Sequence, residues 1–230
     1  MSEPKVLIAI KSCGRDQYNG YNRACRATWL QDLRGANYCF VLGQGATRLH
    51  PDELILPCGD GYRDLPHKTQ QLLKWACLHD YDYIFSCDTD TFVMPDRLLS
   101  SGFEKYDYYG FFNGEIGKPK EIYYASYAWA SGGSGYFVSR RAAQLVTDVN
   151  PDNYSMCPDL RIPCEDLMIG QILGPYIAKG ELTAAHDPKF GRSYNDDYSC
   201  AVSSHYQCDS ANRTLPKDWM QRHYAKNKVS

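Results

Sequence analysis

Tyr83-Ile-Phe-Ser-Cys-Asp-Thr-Asp-Thr-Phe-Val93 is the stretch that decides how the rest of the chain is read. It opens as an apolar run and ends in two carboxylates, Asp88 and Asp90, one residue apart. A short continuous apolar run predicts a strand buried on both faces of a largely parallel sheet. Open α/β sheets bind their ligands beyond the carboxyl ends of such strands. Two acids placed there repel each other and lose hydration, so they call for a cation. Hard oxygen donors suit Mn²⁺ or Mg²⁺, and an ion held by only two carboxylates keeps positions open for a diphosphate. Taken alone, the Asp-x-Asp pattern is a weak motif that favours a turn with two solvated acids, and the context has to decide.

Upstream, residues 5–10 are apolar throughout and predict a central strand, followed by a polar loop over 11–16. A helix is expected over about 21–30. It carries Arg23 and Arg26 three apart, with Arg15 just before it. These arginines form either a solvated basic face or contacts to the base, ribose or phosphate of a nucleotide. Residues 38–42 and 54–56 read as further strands. The glycines after the first of these do not form a dinucleotide fingerprint, and the chain contains no Walker sequence. A second helix is expected over about 65–79, where Leu65, Thr69, Leu72, Leu73 and Ala76 trace one face. Lys68 falls in its first turn, where a cation opposes the helix dipole. That placement favours a ligand-facing use, although surface lysines there are common.

Downstream, a short helix over 95–99 and a strand over 108–112 precede a long irregular segment, 113–130. That segment carries Tyr123, Tyr124, Tyr127 and Trp129 and resembles a binding loop. Ser131-Gly-Gly-Ser-Gly135 then permits a close backbone approach at Gly132 and Gly133 before a strand over 136–138. A helix over 141–149 and another opened by Pro163-Cys-Glu-Asp166 follow. The second places Glu165 and Asp166 in its first turn, where acids complement the helix dipole in any case. The last third is polar, with short strands expected over 182–184 and 201–206, the latter ending near His205.

A chain of 230 residues suffices for one domain with a substantial core. The expectation is a single α/β domain with a mostly parallel central sheet flanked by helices. Residues 1–110 would form its nucleotide-sugar half and 111–230 its acceptor half. A formal charge of −2 argues against nucleic acid as a partner. The 19 tyrosines suit aromatic faces for sugar rings, a suggestion rather than a signature. The 10 cysteines include no Cys-x-x-Cys pair, which argues against a zinc site. Cys157 with Cys164, and Cys200 with Cys208, lie close enough in sequence to pair in an oxidising compartment, and thiols are the default expectation. The amino terminus runs directly into a strand without a signal peptide or apolar span, so a cytoplasmic location is expected.

The order of these signals is more specific than any one of them. Arg23-Ala-Cys-Arg-Ala-Thr-Trp29, Tyr62-Arg-Asp-Leu-Pro-His-Lys68, Asp88-Thr-Asp90, Ser131-Gly-Gly-Ser-Gly-Tyr136, Glu165-Asp-Leu-Met-Ile-Gly170 and Ser204-His-Tyr206 follow one another along nearly the whole chain. The series resembles the β-1,3-galactosyltransferase and Fringe group of inverting glycosyltransferases. The resemblance implies a GT-A fold, a UDP-sugar donor, a glycan acceptor and Mn²⁺ (or Mg²⁺). Carried over, it implies Asp90 and His205 as metal ligands with Asp88 beside them. Arg15, Arg23, Arg26, Lys68, Asp88 and Thr89 would lie on the donor side, and Asp166 would be the base. Glu165 would lie near the acceptor, Gly132 and Gly133 would allow a close approach to the sugar, and Tyr127 with Trp129 would carry the acceptor. Thr89 departs from the group's usual run of three consecutive acids. Two other readings compete. A haloacid dehalogenase-type phosphotransferase wants Thr two places after its second Asp, where Phe92 stands. A sugar-binding module of the same fold would need no base at Asp166.

Overall fold

The computed structural model describes residues 3–47, 50–122, 125–157, 162–191, 202–205 and 216–228. Every residue of the first strand, β1 (Val6–Lys11), is buried. Leu7 and Ala9 point into one core, while Val6, Ile8 and Ile10 point into the other. This two-sided burial is why the strand reads as a continuous apolar run rather than an alternating one. β1 pairs in parallel with β2 (Asn37–Leu42) and with β4 (Tyr83–Asp88), and β2 pairs in parallel with β3 (Glu53–Ile55). On its other side β4 meets β11 (Tyr136–Ser139) antiparallel, and β11 meets β6 (Tyr108–Gly110) antiparallel. β14 (Ala184–His186) closes that edge in parallel with β6. The seven-stranded order is β14-β6-β11-β4-β1-β2-β3. The expected parallel setting of residues 83–88 therefore holds toward β1, and a reversed strand takes the other side.

Helices cover both faces. α2 (Leu65–Leu78), α4 (Arg140–Thr147) and α5 (Glu165–Ala178) pack through Leu72, Leu73, Ala143, Val146, Met168 and Leu173 on one face. α1 (Asp16–Ala27), α3 (Pro95–Leu99) and α6 (Pro216–Lys228) cover the other through Ala24, Cys25, Leu98, Trp219 and Met220. α1 starts and ends earlier than its apolar pattern suggests. Asn19 and Gly20, weak helix formers, hide its first turns from the sequence. At its other end the Thr28 hydroxyl donates back to the Ala24 carbonyl at 2.6 Å, and the chain tightens into a 3₁₀ turn at Trp29–Gln31. α6 lies in the polar last third and was not anticipated, because Trp219, Met220 and the half-buried Tyr224 stand there among charged and polar residues.

Smaller pairings trim the carboxyl ends of the main strands. β5 (Thr91–Val93) follows β4 directly and pairs antiparallel with β16 (Ser203–His205), which pairs in parallel with β15 (Phe190–Gly191). β7 (Phe112–Asn113) pairs with β10 (Trp129–Ala130), and β8 (Pro119–Ile122) with β9 (Ala125–Tyr127). The segment expected to be irregular thus contains two small ladders; Tyr123 and Tyr124 lie outside the described residues. β12 (Met156–Cys157) and β13 (Ile162–Pro163) form a ladder just before α5. Among the described residues no helix is long and apolar enough to cross a membrane.

Candidate active site

β1 lies between β2 and β4, so the chain leaves the sheet in opposite directions on its two sides, and a crevice opens at the carboxyl ends of β1 and β4. Lys11 and Asp88 are the last residues of those strands and stand in register. Strand alternation then sorts the turn that follows. Asp88 and Asp90 are half-buried and line the crevice, whereas Thr89 between them is buried. The Thr89 N–H donates to the Lys11 carbonyl at 3.1 Å, and its hydroxyl donates to Asn22 Oδ1 at 2.6 Å. Asn22 Oδ1 also accepts from the Ser12 hydroxyl at 2.9 Å. The Thr89 side chain therefore turns inward and fixes the turn against α1, although the residue still borders the crevice.

Lys11 is the centre of the site and was read from sequence only as the start of a polar loop. Its ammonium is buried, ion-paired to Glu165 and 3.3 Å from Asp88. Desolvation by itself would lower its pKa; the carboxylates of Asp88, Glu165 and Asp166 more than offset this and hold it above the ordinary lysine value. Glu165, also buried, accepts from the Tyr136 hydroxyl at 2.7 Å and from Thr69 at 3.3 Å. Glu165, expected near the acceptor, lines the smaller cavity and also anchors the amino end of α5 to β1, β11 and α2. Burial pushes its pKa up, and Lys11 opposes that shift.

A second anchor shapes the other side of the crevice. Asp60 accepts from the N–H groups of Gly14 and Gly43, each at 2.6 Å, and from Lys68 at 2.7 Å. Lys68 is itself buried and donates also to the Ser12 carbonyl at 2.8 Å. This clamp joins the loops after β1 and β2 to α2. The cavity beside it holds about 410 Å³ and is lined among others by Arg15, Tyr18, Tyr21, Lys68, Asp88 and Asp90. A smaller cavity of about 170 Å³ adjoins it, with Gly132, Gly133, Pro163, Glu165 and Asp166 in its wall. The two share Lys11, Tyr62, Leu65 and Asp88.

Asp166 stands in the first turn of α5 with partial access to the smaller cavity. Its carboxylate accepts from the Gly132 N–H at 3.1 Å and the Leu167 N–H at 2.8 Å. Desolvation raises its pKa above the ordinary carboxylate range, against the opposing pull of those N–H groups and Lys11. A Cβ at residue 132 would collide with Glu165, so glycine is what lets the 131–135 turn approach α5.

The other expected site residues are placed differently. Arg15 lines the larger cavity. Arg23 is exposed on α1 and lines neither cavity. Arg26, expected on the donor side, lines neither cavity: it pairs with Asp52 at 2.7 Å and Glu53 at 3.0 Å and lies over the Phe40 ring of β2. Tyr127 and Trp129 likewise line neither cavity. They pack on α5, where Gly174 and Gly170 leave room for their side chains. His205 pairs by backbone with Thr91, the residue after Asp90; its side chain lies outside the described set. Among the described residues no three metal-ligating side chains gather at one point. Cys157 and Cys164 are free thiols, and the Cys200–Cys208 pair lies outside the described residues.

The donor set nevertheless suits a divalent cation. The two cavities carry five carboxylates, of Asp60, Asp88, Asp90, Glu165 and Asp166, against three cations, Lys11, Arg15 and Lys68. A diphosphate would enter this excess of negative charge only with a compensating ion.

Residues 22–108, which contain the Tyr62–Lys68 stretch and the Asp88–Asp90 turn, match the family model described as Galactosyltransferase. Solved structures with the same fold include a glycosyltransferase involved in the glycosylation of the major capsid of PBCV-1. That protein is 15% identical, with 95% of this chain and 100% of that chain covered and a TM-score of 0.58. An active-site mutant of LgtC aligns at 11% identity over 96% of this chain and 95% of that one, with a TM-score of 0.52. Galactosyltransferase LgtC in complex with donor and acceptor sugar analogs aligns at 13% identity over the same shares, with a TM-score of 0.50. The chain has the GT-A glycosyltransferase fold.

Proposed function

We propose that this galactosyltransferase-like chain of GT-A fold moves a hexose from a UDP-sugar to a glycan hydroxyl in a single, inverting displacement. The observation that carries the reading is that the acidic turn Asp88–Asp90 and the Asp166 carboxylate open onto two adjoining cavities with a common wall at Lys11, Tyr62, Leu65 and Asp88. Such a division suits a donor diphosphate on one side and an acceptor hydroxyl on the other. Asp88 and Asp90, with His205 from the strand beside them, would hold Mn²⁺ (or Mg²⁺). When bound, the ion offsets charge on the diphosphate leaving group.

The chain's own residues account for the rest. Arg15 borders the diphosphate cavity, and the Asp60–Lys68 clamp keeps its floor rigid. Asp166, held by the Gly132 N–H, takes the proton of the acceptor hydroxyl as that oxygen bonds to the anomeric carbon. The bond from that carbon to the donor phosphate breaks, and the nucleoside diphosphate leaves with the electron pair. The raised pKa of Asp166 makes it a stronger base than an ordinary carboxylate. The oxocarbenium-like charge at the anomeric carbon is of the kind met in glycoside hydrolysis.

The test is calorimetric titration of UDP and a UDP-sugar panel, with Mn²⁺ and with EDTA, on the wild type, Asp90→Ala and Asp166→Asn. Metal-dependent UDP binding is expected in the wild type and is weakened in Asp90→Ala. Asp166→Asn is expected to keep binding and to lose transfer by about 10²–10⁴-fold. Wild-type UDP binding that ignores EDTA removes the metal. UDP binding with no turnover of any UDP-sugar makes the chain a binding module.

A further inference from the structure

Tyr127 and Trp129, the rings expected on the acceptor side, pack against α5, and neither lines the two cavities among the described residues. A different ring occupies the right position. Tyr62 is 63% exposed and, of the exposed large apolar side chains among the described residues, it alone borders the two cavities. We infer that Tyr62 is the platform on which the acceptor pyranose stacks, directing its nucleophilic hydroxyl toward Asp166. This rests on the transferase reading and deepens it by naming a sugar-binding residue and the ligand class, a pyranose with an apolar C–H face.

Three structural features support the role. First, the backbone under the ring is held still. Tyr62 opens a 3₁₀ turn, Tyr62–Asp64, in which the Gly61 N–H donates to the Asp64 carboxylate at 2.9 Å and the Asp64 N–H donates to the Gly61 carbonyl at 3.0 Å. The residue before Gly61 is Asp60, whose clamp ties three segments together. A large ring left in water on a rigid mount is preorganised for a partner. Second, Leu65 and Pro163 line the smaller cavity with Tyr62, and the carboxylates of Asp88, Glu165 and Asp166 line it too, so its wall is part apolar and part charged. Pyranoses present this pattern in reverse, with one face of C–H groups and an equator of hydroxyls. Third, Tyr62 shares the wall of both cavities with Asp88, and that of the smaller one with Asp166.

The experiment compares wild type, Tyr62→Ala and Tyr62→Phe with one UDP-sugar, using methyl β-galactoside, methyl β-glucoside and methyl β-N-acetylglucosaminide as acceptors. Both transfer and hydrolysis of the donor by water are followed. Water needs no platform, so the transfer-to-hydrolysis ratio isolates the acceptor contact. Tyr62→Ala is expected to raise the acceptor KM about tenfold, equivalent to about 1.4 kcal/mol, and to lower the ratio by a similar factor. Tyr62→Phe, which keeps the ring, is expected to restore most of both. A wild type that transfers to a pyranoside while Tyr62→Ala keeps its KM and ratio overturns the platform and leaves the transferase reading standing. A wild type that hydrolyses the donor but uses no pyranoside also overturns it. A wild type that binds no UDP with Mn²⁺ removes the transferase reading, and the platform falls with it.

Discussion

Replacing Lys11 by methionine tests whether one buried ammonium holds the two halves of the site together. The side chains of Lys11 and Glu165 are 2% and 5% exposed, and they are paired. Losing the lysine leaves the Glu165 carboxylate buried with, among the described residues, the Tyr136 and Thr69 hydroxyls as its hydrogen-bond partners. Breaking a buried pair from one side costs about 3–5 kcal/mol. In a chain of this size each kcal/mol moves the melting temperature by about 2–4 °C, so a fall of roughly 6–20 °C is expected. The double variant Lys11→Met, Glu165→Gln removes the orphaned charge while its amide oxygen still accepts from Tyr136. It should recover all but about 1–2 kcal/mol. Thermal and urea unfolding of wild type, both single variants and the double variant complete the cycle. A single Lys11→Met variant within about 1 kcal/mol of wild type, or a double variant no more stable than the single, would refute the account of Lys11 as the counter-charge.

Other consequences can be checked alongside. Gly132→Ala drives a methyl into Glu165 and within 3.3 Å of both the Asp166 Cβ and the Lys11 ammonium. It should lower turnover about 10²-fold through misplacement of the base, with a stability loss of about 1–3 kcal/mol; kinetics together with melting curves separate the two. Because Asp166 must be ionised to accept a proton, and desolvation raises its pKa, the rate should fall as pH drops through a value above the ordinary aspartate figure of about 3.9. An acid limb centred at or below that figure would remove desolvation from the account. Arg26→Ala removes the guanidinium that pairs with Asp52 and the buried Glu53. It should cost about 2 kcal/mol while UDP affinity is kept, and a loss of UDP affinity measured by calorimetry would return Arg26 to the donor side.

Local pattern was sufficient wherever burial and period alone decide structure. β1, β2 and β4 read as continuous apolar runs because both of their faces are covered. α2 was legible from its stripe, and the Asp88–Asp90 turn from two acids closing a buried strand. The first turns of α1 and the whole of α6 were not legible, because weak helix formers mask the one and the few apolar residues of the other stand among charged and polar neighbours.

The site divides along the same line. Sequence by itself determined which acids stand at the end of β4 and at the start of α5, since spacing and strand ends are local properties. Only the tertiary structure decided what each charge faces. Lys11 meets Glu165 across 154 residues of chain, and Asp60 gathers the N–H groups of Gly14 and Gly43. Arg26 is drawn to Asp52 and Glu53, and the aromatics at 127 and 129 settle on the two glycines of α5. An ammonium or a ring has the same chemistry in every context. Its role is set by the dielectric and the partners that folding brings within a few ångströms, and those distances are not local properties of the chain.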